Sequence, residues 1–262
     1  MLSNERLQRI CDLINERGSV SVTALSNMLD VSEVTIRRDL NTLAHDNHVQ
    51  RTRGGAVSVY PVAATVPLRQ LIQSHTNIEE KRLIARRAYE MIKDKDTVFM
   101  DGSSTVNELT RIIADEDRKQ INVMTPAFST MEMLTECKNV SVIMLGGEVN
   151  YPYCQVEGTL TTEAIRNMRA DKCFIGINGI DESFGFSFPR LIESDLKGSM
   201  ISSSRHSYIL ADHTKFGRTY MARLSRPCEY VITDTRLPDY DYQWLTGKCK
   251  LIFADERGNA DE

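Results

Sequence analysis

The chain has 262 residues and a net charge of −4, and 41% of its residues are hydrophobic, which is ordinary for a globular protein. No apolar run approaches the length of a membrane span, and the first residues lack the pattern of a signal peptide. Six scattered cysteines form no C-x-x-C pair, which favours a reduced cytoplasmic protein over a disulfide framework or a zinc site. We therefore expect no metal, no cofactor and no membrane contact.

Residues 1–57 carry seven arginines and seven acidic side chains, so this segment is neutral and the −4 belongs to the rest of the chain. If the segment binds nucleic acid, the attraction must come from where its arginines lie and not from its net charge. Four of the arginines form two short clusters, at 37–38 and 51–53. These clusters single out two parts of the segment as candidate binding elements.

Apolar residues at helical spacing predict three helices in this segment. The first spans residues 3–17, and the second carries Val22, Leu25 and Leu29. A tight turn at 30–31 leads into the third. Two helices joined by such a turn are typical of a helix-turn-helix.

The third helix has one apolar face and one face suited to DNA. Ile36, Leu40 and Leu43 share the apolar face, and Ser32 before them is a natural N-cap. On the other face, arginine can contact guanine or phosphate, asparagine can pair with adenine, and a valine or threonine methyl can touch thymine. The predicted DNA contacts of this helix are Ser32, Val34, Thr35, Arg37, Arg38 and Asn41.

Residues 49–57 alternate arginines before two glycines, which predicts a β-hairpin wing. Arg51 and Arg53 would then face the DNA backbone or the minor groove. The helices and the hairpin together predict a winged helix-turn-helix domain over residues 1–57. The alternative is a three-helix module whose charged stripe merely faces solvent.

This head resembles that of the DeoR family of bacterial transcriptional regulators. The resemblance rests on the sequence GSVSV at 18–22, on TIRRDL at 35–40, and on Arg51 followed by the GGA at 54–56. The family often carries histidine before the two glycines, where this chain has Arg53. The substitution keeps a hydrogen-bond donor in the wing.

Residues 58–78 contain Pro61 and Pro67 and predict a linker. In residues 79–262 short apolar strands alternate with helical patterns, which predicts a larger, mostly parallel, Rossmann-like α/β domain. Ligands of such sheets bind at the carboxyl ends of the strands. The predicted strands are 97–100, 122–125, 140–145, 172–177, 207–211, 230–233 and 251–253, with helices from Thr105 and over about 127–136.

Polar loops follow several of these strands, and the sharpest is the DGSST sequence at 101–105. Its small residues let backbone amides approach an anion at a helix N-terminus; the alternative is an ordinary capped turn. Hydroxyls, lysines and carboxylates together suit a phosphorylated polyol, although Glu193 and Lys197 could form only a surface i,i+4 pair. The predicted effector-binding residues are Asp101, Gly102, Ser103, Ser104, Thr105, Gly147, Gly179, Asp181, Glu193, Lys197, Asp212 and Lys215.

Residues 79–262 also resemble the DeoR-family effector domain, which is similar in fold to ribose-5-phosphate isomerase and binds sugar phosphates in many members. The loop at 101–105 matches the family's D-x-G-[ST]-T, except that Ser103 stands where glycine is usual. Asp212 and Lys215 match its A-D-x-[ST]-K loop. After Gly147 the family often carries a basic residue, where this chain has NYPY at 150–153. That departure implies a different ligand position or a less anionic ligand.

The resemblance implies a sequence-specific transcriptional regulator, usually a repressor in this family, that controls a sugar catabolic operon in response to a phosphorylated sugar. One head presents one recognition helix, so we expect a homodimer or homotetramer on a double-stranded operator. The alternative is a sugar-phosphate isomerase with an accessory head, in which Asp181 and Glu193 supply base chemistry. An isomerase needs no operator-reading helix, so we expect no enzyme activity. A third interpretation is an architectural DNA binder that prefers no particular operator.

Overall fold

The computed structural model describes residues 3–17, 19–45, 49–58, 76–237 and 243–255. The chain divides into two compact units, one of Met1–Thr76 with Tyr151–Tyr153 and one of Asn77–Asn150 with Cys154–Glu262. Most of the predicted linker at 58–78 lies outside the described residues. Among the helices in the described ranges, none has the length and apolar character needed to cross a membrane.

The head is a winged helix-turn-helix, as predicted. Its hairpin strands β2 and β3 pair antiparallel, and a short strand β1, which the sequence did not predict, pairs with β3 on its other side. Gly55 makes that approach possible, because a Cβ atom at this position would lie 2.1 Å from the Val20 carbonyl oxygen. The elements are α1 (Ser3–Arg17), β1 (Ser19–Ser21), α2 (Val22–Leu29), α3 (Glu33–His45), β2 (Val49–Thr52) and β3 (Gly55–Ser58).

The head is held together by the apolar stripes that the helical spacing predicted. Ile14 of α1, Leu25 of α2 and Leu40 of α3 are all fully buried in one cluster. The turn between α2 and α3 uses Asp30 with φ 52°, a left-handed conformation in which a short polar side chain is tolerated. Burial of this cluster fixes which face of α3 is left for solvent.

The larger unit is built on a seven-stranded parallel sheet with the order β15-β14-β12-β9-β4-β5-β6. The parallel α/β architecture predicted from the sequence is therefore confirmed. Its strands are β4 (Thr97–Met100), β5 (Ile121–Thr125), β6 (Val140–Met144), β9 (Ala170–Gly176), β12 (Ser204–Leu210), β14 (Tyr230–Thr233) and β15 (Lys250–Phe253). Its helices are α4 (Ile78–Met91), α5 (Ser104–Glu116), α6 (Phe128–Leu134), α7 (Thr159–Arg166) and α8 (Leu191–Ser202).

The strand order reverses between β4 and β9. From β4 the chain proceeds outward through β5 to β6, and it then returns to place β9 on the other side of β4. A crevice therefore opens at the carboxyl ends of β4 and β9, where ligands of doubly wound sheets bind. Val98 and Phe174 pack on one face of the sheet, and Phe99 and Ile175 pack on the other.

Two small antiparallel sheets complete the larger unit, and the sequence predicted neither of them. One is the hairpin β7 (Glu148–Asn150) with β8 (Gln155–Glu157). The other has the order β10-β11-β13, formed by Gly179–Asp181, Gly185–Phe188 and Ala222–Arg223. Strands of two to four residues show too little alternation to be recognised in a sequence. Phe188 is fully buried, and Phe186 packs against the core.

Candidate functional site

The solvent face of α3 presents the residues predicted to contact DNA. Val34 is 78% exposed. Arg37, Arg38 and Asn41 are exposed beside it. Ser32 caps the helix, since its hydroxyl accepts the Thr35 amide at 3.3 Å. The arrangement leaves a mixed apolar and cationic surface of the kind that major-groove readers use.

Two of the predicted arginines already have protein partners. Arg37 donates to Glu33 at 3.3 Å within α3, and Glu33 also accepts the Thr23 hydroxyl of α2 at 2.6 Å. The Thr23 bond, followed by the Arg37 bond, lowers the pKa of Glu33. In the wing, Arg51 donates to the Gly55 carbonyl at 2.8 Å, across the turn that carries exposed Arg53. Arg37 and Arg51 thus help to hold the shape of the surface.

In the larger unit, three of the predicted residues meet at the crevice between β4 and β9. Lys197 of α8 lies 3.0 Å from Asp101 at the end of β4 and 3.1 Å from Glu193 one turn earlier. Its ammonium also donates to the Gly176 carbonyl at 3.1 Å, at the end of β9. The i,i+4 pair of Glu193 and Lys197 does form, but its side chains are only 13% and 7% exposed, so it is not a pair on the solvent-exposed surface.

The electrostatics of this cluster keep Lys197 charged. Burial by itself disfavours the ammonium, but the charges and hydrogen bonds of Asp101 and Glu193 outweigh it and raise the pKa of Lys197. Asp101 in turn accepts the amides of Ser103 and Gly176, both at 2.9 Å. The cluster therefore ties the 101–105 loop, the end of β9 and α8 together at one point.

The loop at 101–105 opens α5 as predicted, with Ser103 in the N-cap position. Ser103 does not cap through its side chain, and within the described residues its buried hydroxyl has no hydrogen-bond partner. That hydroxyl lies over Gly176, where a Cβ atom would be only 2.3 Å from it. Gly102 is packed as closely, since a Cβ there would lie 2.7 Å from that of Ala127. An uncapped N-terminus of this kind leaves amides available to an anion.

A second charged group forms at the end of β12, the strand beside β9. Asp212 is fully buried and accepts the Thr214 amide at 3.0 Å and the Asn77 side-chain amide at 3.1 Å. Its other oxygen makes no hydrogen bond within the described residues and lies 3.8 Å from the Lys215 ammonium. Burial would raise the pKa of Asp212, but Lys215 and the Thr214 bonds lower it overall.

Lys81 belongs to this second group and was missed in the sequence. It lies on α4 and is 1% exposed, within the electrostatic reach of Asp212 and Lys215. Burial lowers the pKa of Lys81 to about 8, an effect that Asp212 opposes. The available signal was its spacing, since Lys81 lies three and four residues before Ile84 and Ala85 on the buried stripe of α4.

Three further predicted residues make local structural contacts. Gly147 follows β6, where a Cβ atom would lie 1.9 Å from the Thr161 hydroxyl. At Gly179, a Cβ atom would lie 2.4 Å from the Arg218 carbonyl oxygen. Asp181 accepts the amides of Ser183 and Phe184, both at 3.0 Å, and stabilises the turn between β10 and β11. No contact in the described residues joins these three to the charged groups.

Two family models match this chain. The DeoR-like helix-turn-helix domain matches residues 6–62, and the DeoR C terminal sensor domain matches residues 76–235, more than half of the chain. The chain belongs to the DeoR family. It is therefore a transcriptional regulator and not an enzyme, as the recognition helix predicted.

Relatives of this DeoR-family chain match along nearly its whole length. It is 30% identical over 256 residues to the uncharacterized HTH-type transcriptional regulator YulB of Bacillus subtilis, covering 97% of each chain. It is 30% identical over 248 residues to the glycerol-3-phosphate regulon repressor of Escherichia coli, covering 94% of this chain and 96% of the repressor. The L-fucose operon activator of Haemophilus influenzae is 29% identical over 240 residues, covering 90% of this chain and 94% of the activator.

Among solved structures, ribose 5-phosphate isomerase A from Methanocaldococcus jannaschii overlaps with the DeoR-family chain at a TM-score of 0.39 and 14% identity. The overlap covers 53% of this chain and 55% of the isomerase. A match at this level carries no argument about function.

Proposed function

We propose that this DeoR-family regulator represses a sugar catabolic operon and that a phosphorylated sugar controls its binding to DNA. The observation that carries the proposal is the concentration of buried charge at the carboxyl edge of the sheet, where Lys81, Lys197 and Lys215 all lie. Burying charged groups costs free energy of desolvation, and their ion pairs add little net stability. Charges buried at this edge therefore indicate a role in binding. A ligand that combines an anion with several hydroxyls matches the side chains present there.

The second charged group supplies side chains for both parts of such a ligand. Lys81 and Lys215, with the uncapped N-terminus of α5, would attract the phosphate. The unbonded oxygen of Asp212 is an acceptor for a sugar hydroxyl. The two charged groups lie at neighbouring strand ends, because β9 pairs with β12. The segments that follow these strands also meet, since the Gly217 amide donates to the Ile180 carbonyl at 2.8 Å. The names of the glycerol-3-phosphate and L-fucose relatives point to the same class of small polyol.

For the head, we propose that α3 reads an operator in the major groove through Val34, Thr35, Arg38 and Asn41, with Arg53 of the wing on the phosphates or in the minor groove. Residues 1–57 would form the DNA-binding domain, 58–78 the linker and 79–262 the effector domain. A single recognition helix covers one half-site, so the regulator would act as a cytoplasmic homodimer or homotetramer. A monomer in light scattering that still binds the operator tightly would contradict this.

A thermal-shift screen of phosphorylated sugars tests the effector assignment. A ligand that binds the folded state at 100 times its Kd stabilises it by about 2.7 kcal/mol. We expect one or a few sugar phosphates to raise the melting temperature, and the corresponding free sugar and inorganic phosphate to raise it much less. The same ligand should weaken binding to a DNA duplex enriched from a random pool. A screen in which no phosphorylated sugar shifts the transition would contradict the proposal.

A matched pair of variants tests whether the melting-temperature shift arises from binding at this site. Lys81→Met removes a buried lysine from the carboxyl edge, whereas Lys172→Met removes one from the amino edge, where Lys172 lies 2.5 Å from Asp96. We expect both to lower stability, but only Lys81→Met to abolish the shift caused by the sugar phosphate. If the sugar phosphate raises the melting temperature of both variants equally, Lys81 does not take part in binding it.

A further inference from the structure

One ion pair in the head links the first helix to the recognition helix. Arg6 of α1 donates to Asp39 of α3 through two nitrogens, Nε to Oδ2 at 2.6 Å and Nη2 to Oδ1 at 3.2 Å. The two side chains are 15% and 8% exposed. Paired donors and paired acceptors fix orientation as well as distance, because both bonds are made only when the two groups are coplanar.

Asp39 lies on the buried side of α3, next to a residue of the proposed DNA-reading face. It follows Arg38 in the sequence, yet it is buried while Arg38 is exposed. The apolar face of α3, formed by Ile36 and Leu40, packs in the core without directional bonds. Near its start α3 is held to α2 by the bond between Glu33 and Thr23. Among the described contacts, the Arg6–Asp39 pair is the directional link between α1 and the middle of α3.

We propose that the Arg6–Asp39 pair is a positioning device for DNA reading, which aims Arg38 and Asn41 at the base edges by fixing the rotation of α3. The inference rests on the proposed function, in that α3 must be the helix that reads DNA. Asp39 itself is too buried to contact DNA, and Arg6 directs two of its N–H groups to Asp39 and away from solvent. Both residues therefore act through α3.

The direction in which Asp39→Asn changes DNA affinity distinguishes a positioning role from a purely electrostatic one. Asp39→Asn removes a negative charge from a head that binds a polyanion, so electrostatics alone would raise its affinity for every DNA sequence. Loss of positioning would instead lower the affinity for the preferred sequence. Asp30→Asn is the matched control: it makes the same change of charge in the same head, at an exposed turn residue with a left-handed backbone that asparagine tolerates.

The experiment uses the full chain and two duplexes, one enriched from a random pool by the wild-type protein and one of random sequence. Fluorescence anisotropy gives the ratio of the two affinities. For Asp39→Asn we expect this ratio to fall at least about fivefold, the lower end of the loss of one bidentate base contact, while affinity for random DNA is unchanged or rises. Asp30→Asn should keep the wild-type ratio. Arg6→Lys, which keeps the charge but not the paired donors, should also lower it.

The outcomes distinguish this inference from the function on which it rests. A wild-type ratio near one would refute the proposed reading of DNA by α3. If the wild-type protein prefers the enriched duplex, and Asp39→Asn and Arg6→Lys keep the same ratio of affinities, the positioning role is overturned. An equal loss of affinity for both duplexes would also overturn it, because a partly unfolded head binds all DNA less well.

Discussion

Replacing Lys197 by methionine tests the charged cluster at the crevice. The substitution keeps much of the side-chain volume but leaves the Asp101 and Glu193 carboxylates without the ammonium that lies 3.0 and 3.1 Å from them. Removing one partner of a buried ion pair costs about 3–5 kcal/mol. In a domain of this size each kcal/mol lowers the melting temperature by about 2–4 °C, so we expect a fall on the order of 6–20 °C.

The pH dependence gives the prediction a second, independent readout. Wild-type Lys197 has a raised pKa, so its contribution is fully present at neutral pH and is lost only as the pH rises through that raised value. The stability deficit of Lys197→Met relative to the wild type should therefore persist unchanged from pH 7 to pH 9 and narrow only at higher pH.

Differential scanning calorimetry of the sensor transition at the two pH values measures both effects, with Lys93→Met as the control because Lys93 is exposed. The control should stay within about 0.5 kcal/mol of the wild type. A deficit below about 1 kcal/mol for Lys197→Met, or one that has already disappeared at pH 9, would show that the buried Lys197 ion pairs do not stabilise the crevice.

Further predictions concern DNA and the effector. Arg38→Ala should weaken binding to the enriched duplex by about 1–3 kcal/mol and relax the preference at one base. If anisotropy titrations show an equal loss of affinity for random DNA, Arg38 contacts a phosphate and not a base. Lys215→Ala should abolish the response to the sugar phosphate but keep operator affinity, and an unchanged response in the same titrations would exclude it from the site. Since burial lowers the pKa of Lys81 to about 8, effector affinity should fall as the pH rises from 7 to 9, above the second pKa of a phosphate monoester. In calorimetric titrations Lys81→Arg should flatten that profile, and a profile like the wild type's would argue against the role of Lys81.

The local part of the structure could be predicted from the sequence. The helical spacing of Ile36, Leu40 and Leu43 determines which face of α3 is exposed, and the N-cap at Ser32 determines where the helix begins. The strands of the parallel sheet could be located for the same reason, since they are short apolar runs separated by helices. These features depend on neighbours within one or two turns of chain, and a sequence displays such neighbours directly.

Which strands lie side by side could not be predicted in this way. The placement of β9 next to β4 brings Lys197 to Asp101, so that a pair with the spacing of a surface salt bridge is buried. The same long-range packing brings Asn77, the N-cap residue of α4, to Asp212, 135 positions further along the chain.

The sequence by itself determined the solvent-exposed face of α3 and the parallel α/β domain, because propensity, capping and periodicity are local. Only the tertiary structure decided that Lys81 is buried near Asp212 and Lys215, that Gly147 packs against Thr161, and that Arg6 is bound to Asp39. Burial and pairing of charges depend on which distant segments pack together. That choice is made by the whole core and not by any one segment.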